Sequence, residues 1–269
     1  MPEAPEVRRI IDQMAPLIVG KTLIHIDYHG GRYLKKLPAG QVPFLKALPL
    51  EITEVKCKGK FIYFKTNSDW SIWNTLGMSG GWTHNCYADY IKASFAFSDA
   101  SCVYFTDIRN FGTLKYVNSK KELTKKLLAL GPDVLLEDVP DNLLRSKVKN
   151  RYSKTLAEIL MDQSFIAGVG NYIKAEALYL SKLSPHRKGG SLTDEEIFRL
   201  NKAITSVIRE SYQSGGSTFK TYADFNGDVG KFTDRFMVYG RKEDPQGNAV
   251  IKEETLDKRT THWVPAIQK

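Results

Sequence analysis

The sequence predicts an α+β protein: a leading helix and a β-sandwich, then a helical domain, then a C-terminal β-hairpin. Three observations carry this. Val7, Ile10, Ile11, Met14 and Ile18 recur at helical spacing. Between about Lys21 and Val117 the apolar residues fall instead into short β-type runs, punctuated by Gly, Pro, Asn and Asp. From Ser119 the helical period returns, and after about Asp234 it gives way to strands again. Many short strands behind a single helix suit a sandwich.

In chain order, residues 3–19 form the first predicted helix, and Gly20 supplies its C-terminal stop, since glycine accepts the left-handed conformation found there. The strand runs are TLIHIDYH, EITEVKC, KFIYFKT, SIWNTLGM, KASFAFSD and SCVYFTDI, each rich in β-branched or aromatic residues. KELTKKLLAL is a helix stopped by Gly131-Pro132. Further helices are predicted over about Lys154–Asp162, about Asn171–Leu183, and from Thr193 to about Gln213. Thr193 and Glu196 have the spacing of a capping box, and Gly215-Gly216 ends that helix. A Gly- and Asp-containing loop follows, to about Asp234. RFMVYGR and NAVIKEE then read as strands around the turn sequence DPQG, with KRTTHWV after them. The expected domains are 1–118, 119–215 and 216–269.

The 269 residues carry 39 Lys and Arg against 30 Asp and Glu, a formal net charge of +9. An excess of that size favours a polyanionic partner. Nucleic acid fits better than a membrane, because no apolar run reaches the ~18 residues a span needs and no cationic helix has a large apolar face. Glu3, Glu6, Arg8, Arg9 and Asp12 break up any signal-peptide core, so an intracellular protein is expected. Cys57, Cys86 and Cys102 are odd in number and widely spaced, and no CxxC is present. They make neither a disulfide framework nor, with His84, a tetrahedral metal set.

The first six residues, MPEAPE, hold the most chemistry. If Met1 is removed, Pro2 presents a free secondary amine. An α-amino group titrates near ~7.7–8 against ~10.4 for lysine, so much of it is unprotonated at neutral pH and can form a Schiff base. Glu3 places a carboxyl beside the same centre. The two prolines equally suit the first turn of a helix. Further on, FIAGVGNY lies between two predicted helices and puts Asn171 at the start of the second. A helix N-terminus binds anions such as a DNA phosphate, although an Asn there also serves as an ordinary cap. Arg145, Lys147, Lys149, Arg151 and Lys154 precede this helical pair, and the two features together favour a phosphate-binding helical hairpin.

The start MPEAPEV, the GVGNYIKAE segment and a basic C-terminal hairpin, in that order over essentially the whole chain, resemble the formamidopyrimidine-DNA glycosylase/endonuclease VIII family. The resemblance implies a helix-two-turn-helix motif in the helical domain and an enzyme that removes oxidised bases and then cuts the backbone. Pro2 would be the nucleophile and Glu3 the proton donor. Lys60, matching the family's strand lysine, would contact a phosphate and assist elimination. LGMSG and DIRNFG resemble the void-filling loops, with Met78, Arg109 and Phe111 entering the stack when the damaged nucleotide is flipped out. Tyr90 stands where the family often has a DNA-contacting histidine. Lys154 and Asn171 would bind phosphate, and Arg259 matches the finger arginine. The segment Gly215–Lys231, opening GGSTFK, resembles the base-recognition loop.

The bacterial pattern holds zinc with four cysteines around the hairpin, but VYGRKEDPQGNAVI contains none, and Val264 and Ile267 stand where ligands are expected. The finger therefore resembles the zincless finger of endonuclease VIII-like members, with apolar packing in place of metal. No cofactor is implied. The partner implied is damaged DNA, duplex in form, bound by a monomer without a membrane. A non-catalytic DNA-binding protein of the same fold is the first alternative. An N-terminal-proline tautomerase is a more distant one, since those are small subunits that begin on a strand.

Overall fold

The computed structural model describes residues 2–217 and 223–269. The chain divides into two compact units: 1–129 with 215–230, and 130–214 with 231–269.

The first unit opens on α1 (Ala4–Ile18), whose Val7, Ile10, Ile11, Met14 and Ile18 are all buried, as the spacing predicts. Then come β1 (Thr22–Tyr28), a short helix α2 (Gln41–Lys46), β2 (Leu50–Lys58), β3 (Phe61–Thr66), β4 (Trp70–Thr75), β5 (Gly80–Thr83), β6 (Ile91–Phe97), β7 (Cys102–Asp107) and β8 (Thr113–Asn118). They form an antiparallel ladder in the order β5-β7-β6-β1-β2-β3-β4-β8. Its narrowest seam is β1–β2, where only Thr22↔Glu51 and Leu23↔Leu50 pair. The ladder turns over at that seam. Phe64 of β3 meets Trp82 of β5 and Phe95 of β6 at centroid distances of 5.4 and 6.4 Å, so the two halves face each other as the layers of a sandwich. The indole N–H of Trp82 donates to Asn74 Oδ1 at 3.0 Å, which satisfies the one polar atom of a ring that is 1 % exposed.

Three elements here escape the apolar pattern. The four residues of β5 include two glycines, β8 alternates too briefly to stand out, and α2 carries a proline. The predicted run SIWNTLGM ends as a strand at Thr75, because Leu76 turns the chain and accepts Gly80 N–H at 2.8 Å. The helix α3 (Lys120–Ala129) groups with this unit, whereas the sequence reading divides the chain at 118. Leu123 is buried, Lys58 Nζ donates to Leu127 O at 3.2 Å, and Lys120 pairs with Asp69 at 3.0 Å.

The second unit contains α4 (Asp141–Lys149), α5 (Leu156–Met161), α6 (Asn171–Leu180) and α7 (Asp194–Gln213), then β9 (Ile251–Glu254) and β10 (Thr260–Trp263). α4 is not among the predicted helices, because a basic tail masks its two core contacts, Leu144 and Val148. The Thr193–Glu196 capping box closes as predicted: Thr193 Oγ1 accepts Glu196 N–H at 3.2 Å, and Glu196 Oε2 accepts Thr193 N–H at 2.9 Å. Between α5 and α6 the chain makes two tight turns. Gln163 holds them, accepting Gly168 N–H at 3.0 Å and donating to Val169 O at 2.9 Å. This is the helix-two-turn-helix arrangement.

The finger differs from the predicted pairing. RFMVYGR is not a strand, and the ladder is β9 with β10, from Ile251↔Trp263 to Glu254↔Thr260. The cause is a carboxylate. Glu176 of α6 accepts the N–H groups of Met237, Val238 and Tyr239 at 2.8, 3.0 and 2.7 Å, which removes them from any ladder. DPQG does turn, around Asp244 Oδ1, which accepts Gln246 and Asn248 N–H groups.

Candidate active site

In the first unit Pro2 and Glu3 lead directly into α1, and both are buried. Glu3 occupies the N-cap, and its N–H donates to Glu6 Oε2 at 2.7 Å. The other oxygen of Glu6 accepts Ser217 N–H at 2.6 Å. One buried carboxylate thus ties the start of the helix to the start of the 215–230 segment. Gly216 sits against it with φ +84, and a Cβ there would stand 3.1 Å from Glu6 Cγ and Oε1. Residues 218–222 of the expected recognition loop, like Met1, lie outside the described residues.

Lys60 is half-buried in the two-residue turn Gly59-Lys60 that joins β2 to β3. The structure therefore places it at a hairpin tip, outside the strand assigned to it from sequence, because Lys58↔Phe61 is the last pair of the ladder.

The two segments expected to fill a void do meet. Buried Asp107 accepts Ser79 O–H at 2.6 Å from one, and Gly112 N–H at 2.7 Å and Arg109 N–H at 3.2 Å from the other. Arg109 and Phe111 are exposed, with the guanidinium carbon 5.1 Å from the ring centroid. Met78 is half-buried in the facing turn. Tyr90, with φ 60, joins them through its carbonyl, which accepts Asp107 N–H at 3.1 Å. Gly77 has φ +64, and a Cβ there would stand 2.6 Å from the Phe111 carbonyl carbon. A Gly77→Ala change is expected to force the segments apart and cost about 1–3 kcal/mol. Urea unfolding of wild type and variant measures this, and an unchanged midpoint would refute it.

In the second unit Asn171 begins α6, and its Nδ2 donates to Thr260 O at 2.8 Å. That bond brings the two-turn motif beside Arg259, which is exposed next to Thr260 in the chain. Asn171 Oδ1 is buried with no hydrogen-bond partner among the described residues. Lys174 pairs with Asp257 at 2.6 Å, the two side chains 0 and 3 % exposed. Asn171, Lys174 and Glu176 therefore each hold a different part of the finger. Lys154 is exposed on the turn before α5, bonded through its backbone to Arg151 and Gly189.

The finger does not fit a zinc ion. It contains no cysteine, and Val264 packs with Ala175, Tyr179 and Val238 in a small apolar cluster that Ile267 borders. Among the described residues no group of three His, Cys, Asp or Glu side chains could hold a metal, and no helix is long and apolar enough to cross a membrane.

Asp107, Glu6, Glu176 and the Lys174–Asp257 pair escaped sequence reasoning. One signal was present. α6 is buried on almost every side, so a Lys and a Glu inside it required partners.

Three family descriptions match this chain in succession. They are the formamidopyrimidine-DNA glycosylase N-terminal domain over residues 1–114, the H2TH domain over 130–223 and the C-terminal domain over 230–269. Leading helix, sandwich, two-turn motif and finger together define the helix-two-turn-helix glycosylase class. The formamidopyrimidine-DNA glycosylases of Brevibacillus brevis and Heliobacterium modesticaldum are 31 % and 32 % identical to it. The alignments span 100 % of this chain and 99 % and 100 % of those proteins. The crystal structure of the MutM (Fpg) protein from Thermus thermophilus is similar with a TM-score of 0.87 and 32 % identity, covering 99 % of this chain and 98 % of that one. A complex of Lactococcus lactis Fpg with abasic-site DNA gives 0.86 at 25 % identity over 99 % of both chains. The chain belongs to the formamidopyrimidine-DNA glycosylase family.

Proposed function

We propose that this chain is a bifunctional DNA glycosylase and abasic-site lyase that removes oxidised bases from duplex DNA. The observation that carries the reading is the Pro2–Glu3 pair heading α1 in a chain matched by the family along its whole length. Once Met1 is removed, the Pro2 nitrogen attacks the anomeric carbon, and an N–C bond forms as the glycosidic bond breaks; the base departs with the proton that the amine gives up. Glu3, 2 % exposed and so shielded from bulk water, gives its proton to the sugar ring oxygen. The ring opens, and the result is an iminium cation. That cation draws electrons from the neighbouring carbon, whose proton is lost as the 3′ phosphate departs. A second elimination expels the 5′ phosphate.

Lys60 contacts the phosphate beside the damaged nucleotide. Arg259 and Asn171 hold backbone phosphate at the start of α6, and Lys154 adds charge on the same unit. Met78, Arg109 and Phe111 enter the vacated stack, with Tyr90 beside them. The 215–230 segment faces the flipped base and takes part in choosing it. A net charge of +9 supports binding by counterion release. The terminal amine does the covalent work, so no cofactor is required. The lesion range follows the relatives: a mutant of Lactococcus lactis Fpg has been crystallised with DNA containing Fapy-dG, and the wild-type protein with DNA containing an oxidised pyrimidine.

Borohydride trapping on an oligonucleotide with one oxidised base tests the reading. The processed chain is expected to give a covalent adduct, and a form retaining Met1 none. Absence of any adduct, with DNA binding intact, would leave a non-catalytic DNA-binding protein.

A further inference from the structure

Glu6, Arg9 and Gln13 stand at i, i+3 and i+7 on α1 and so share one stripe of the helix. All three bind the 215–230 segment. Glu6 takes its near arm at Ser217. The far arm is held at Asp224. Arg9 Nη2 and Gln13 Nε2 donate to its Oδ2 at 2.9 and 2.7 Å, and Gln13 Oε1 accepts Phe225 N–H at 3.0 Å. Asp224 Oδ1 accepts the Asn226 and Asp228 N–H groups at 3.1 and 2.9 Å, which closes the turn around it. Phe225 is fully buried in the sandwich core. Burial opposes the Asp224 charge, but the Arg9 and Gln13 bonds and a backbone amide outweigh it and hold the carboxyl below its ordinary range.

We propose that Arg9 and Gln13 are positioning residues for the choice of lesion: through Asp224 they fix the far arm of the recognition segment to the helix that begins with the nucleophile. The inference rests on the function proposed above. Residues 218–222 fall in the chain between the two anchors, Ser217 and Asp224, and both anchors are tied to the helix that Pro2 leads into. A base-recognition segment matters while a base is present. An abasic site has none, so the clasp acts on base excision more than on the elimination that follows.

The test compares single-turnover rates on two duplexes, one with an oxidised purine and one with a preformed abasic site. The proteins are wild type, Arg9→Met, Gln13→Leu and the double variant, which leave the turn around Asp224 chemically intact. The ratio of the first rate to the second is expected to fall about tenfold in Arg9→Met. The double variant should lose little more, because both side chains act on one carboxylate. A purely structural role would lower both rates in proportion, and that result, or an unmoved ratio in an active enzyme, would overturn the inference. A wild-type chain inert on both duplexes would instead remove the proposed function, and this inference with it.

Discussion

Replacing Pro2 by Gly is expected to slow base release by about 10³-fold or more, about 4 kcal/mol of activation free energy, while the protein still binds damaged DNA. Glycine after Met1 removal also presents a terminal amine, so the prediction depends on what proline adds. A secondary amine gives an iminium that has no N–H to lose and stays cationic at any pH. Glycine gives an imine that sheds its proton and with it most of its pull on electrons, which slows the elimination that follows base release. Proline's ring also locks rotation about its own N–Cα bond and so aims the nitrogen lone pair, whereas a terminal glycine rotates freely there, and misorientation of the attacking atom is costly. Pro2 is buried ahead of the first turn of α1, so the ring has a defined seat to lose. The measurement is single-turnover base release beside a binding assay on the same duplex. A Pro2→Gly protein that releases base at the wild-type rate would refute the part assigned to the proline ring, and a form retaining Met1 that still traps on DNA would move the covalent role to another amine, with Lys60 the first to examine.

What the sequence made legible depended on the period of its apolar residues and on short motifs. α1 was legible because five core residues repeat at helical spacing beside a polar face. α7 was legible because it is 20 residues long and capped by Thr193 and Glu196. Period fails where an element is short or where one polar group overrides the local pattern. RFMVYGR has the composition of a strand, yet three of its amides go to Glu176, 61 to 63 residues away in the chain. No local rule contains that information. The same holds for the candidate site. Its outermost residues stand in recognisable motifs, but the groups that hold them, Asp107 under Arg109 and Glu6 under Ser217, are carboxylates that each bind a residue far along the chain, Ser79 28 residues from the one and Ser217 211 residues from the other. Such residues read as surface charges until the fold buries them.

Glu176→Ala is expected to destabilise the second unit by about 3–5 kcal/mol, near the cost of removing one partner from a buried charged cluster. Glu176 is 1 % exposed. Burial pushes its carboxyl above the ordinary range against the pull of the three amides and Arg241, so its charge is tolerated only because those donors converge on it. Alanine would leave three amides without an acceptor, and each such loss costs about 1–3 kcal/mol when water cannot enter. Val238 and Val264, both fully buried beside Ala175, limit that entry. Glu176→Gln separates charge from acceptor count. It removes the penalty of the buried charge but turns an NH₂ group toward at least one of the N–H donors, and it should fall between wild type and alanine. Urea unfolding followed by amide exchange over residues 231–269 measures both. The effect should extend to DNA, because the same segment leads into the hairpin carrying Arg259, and affinity for an abasic-site duplex should drop with stability. If Glu176→Ala left the unfolding midpoint in place, the three amides would have to be satisfied equally well without the carboxylate, and the finger would be held by its other ties, among them its apolar cluster, the Asn171–Thr260 bond and the Lys174–Asp257 pair.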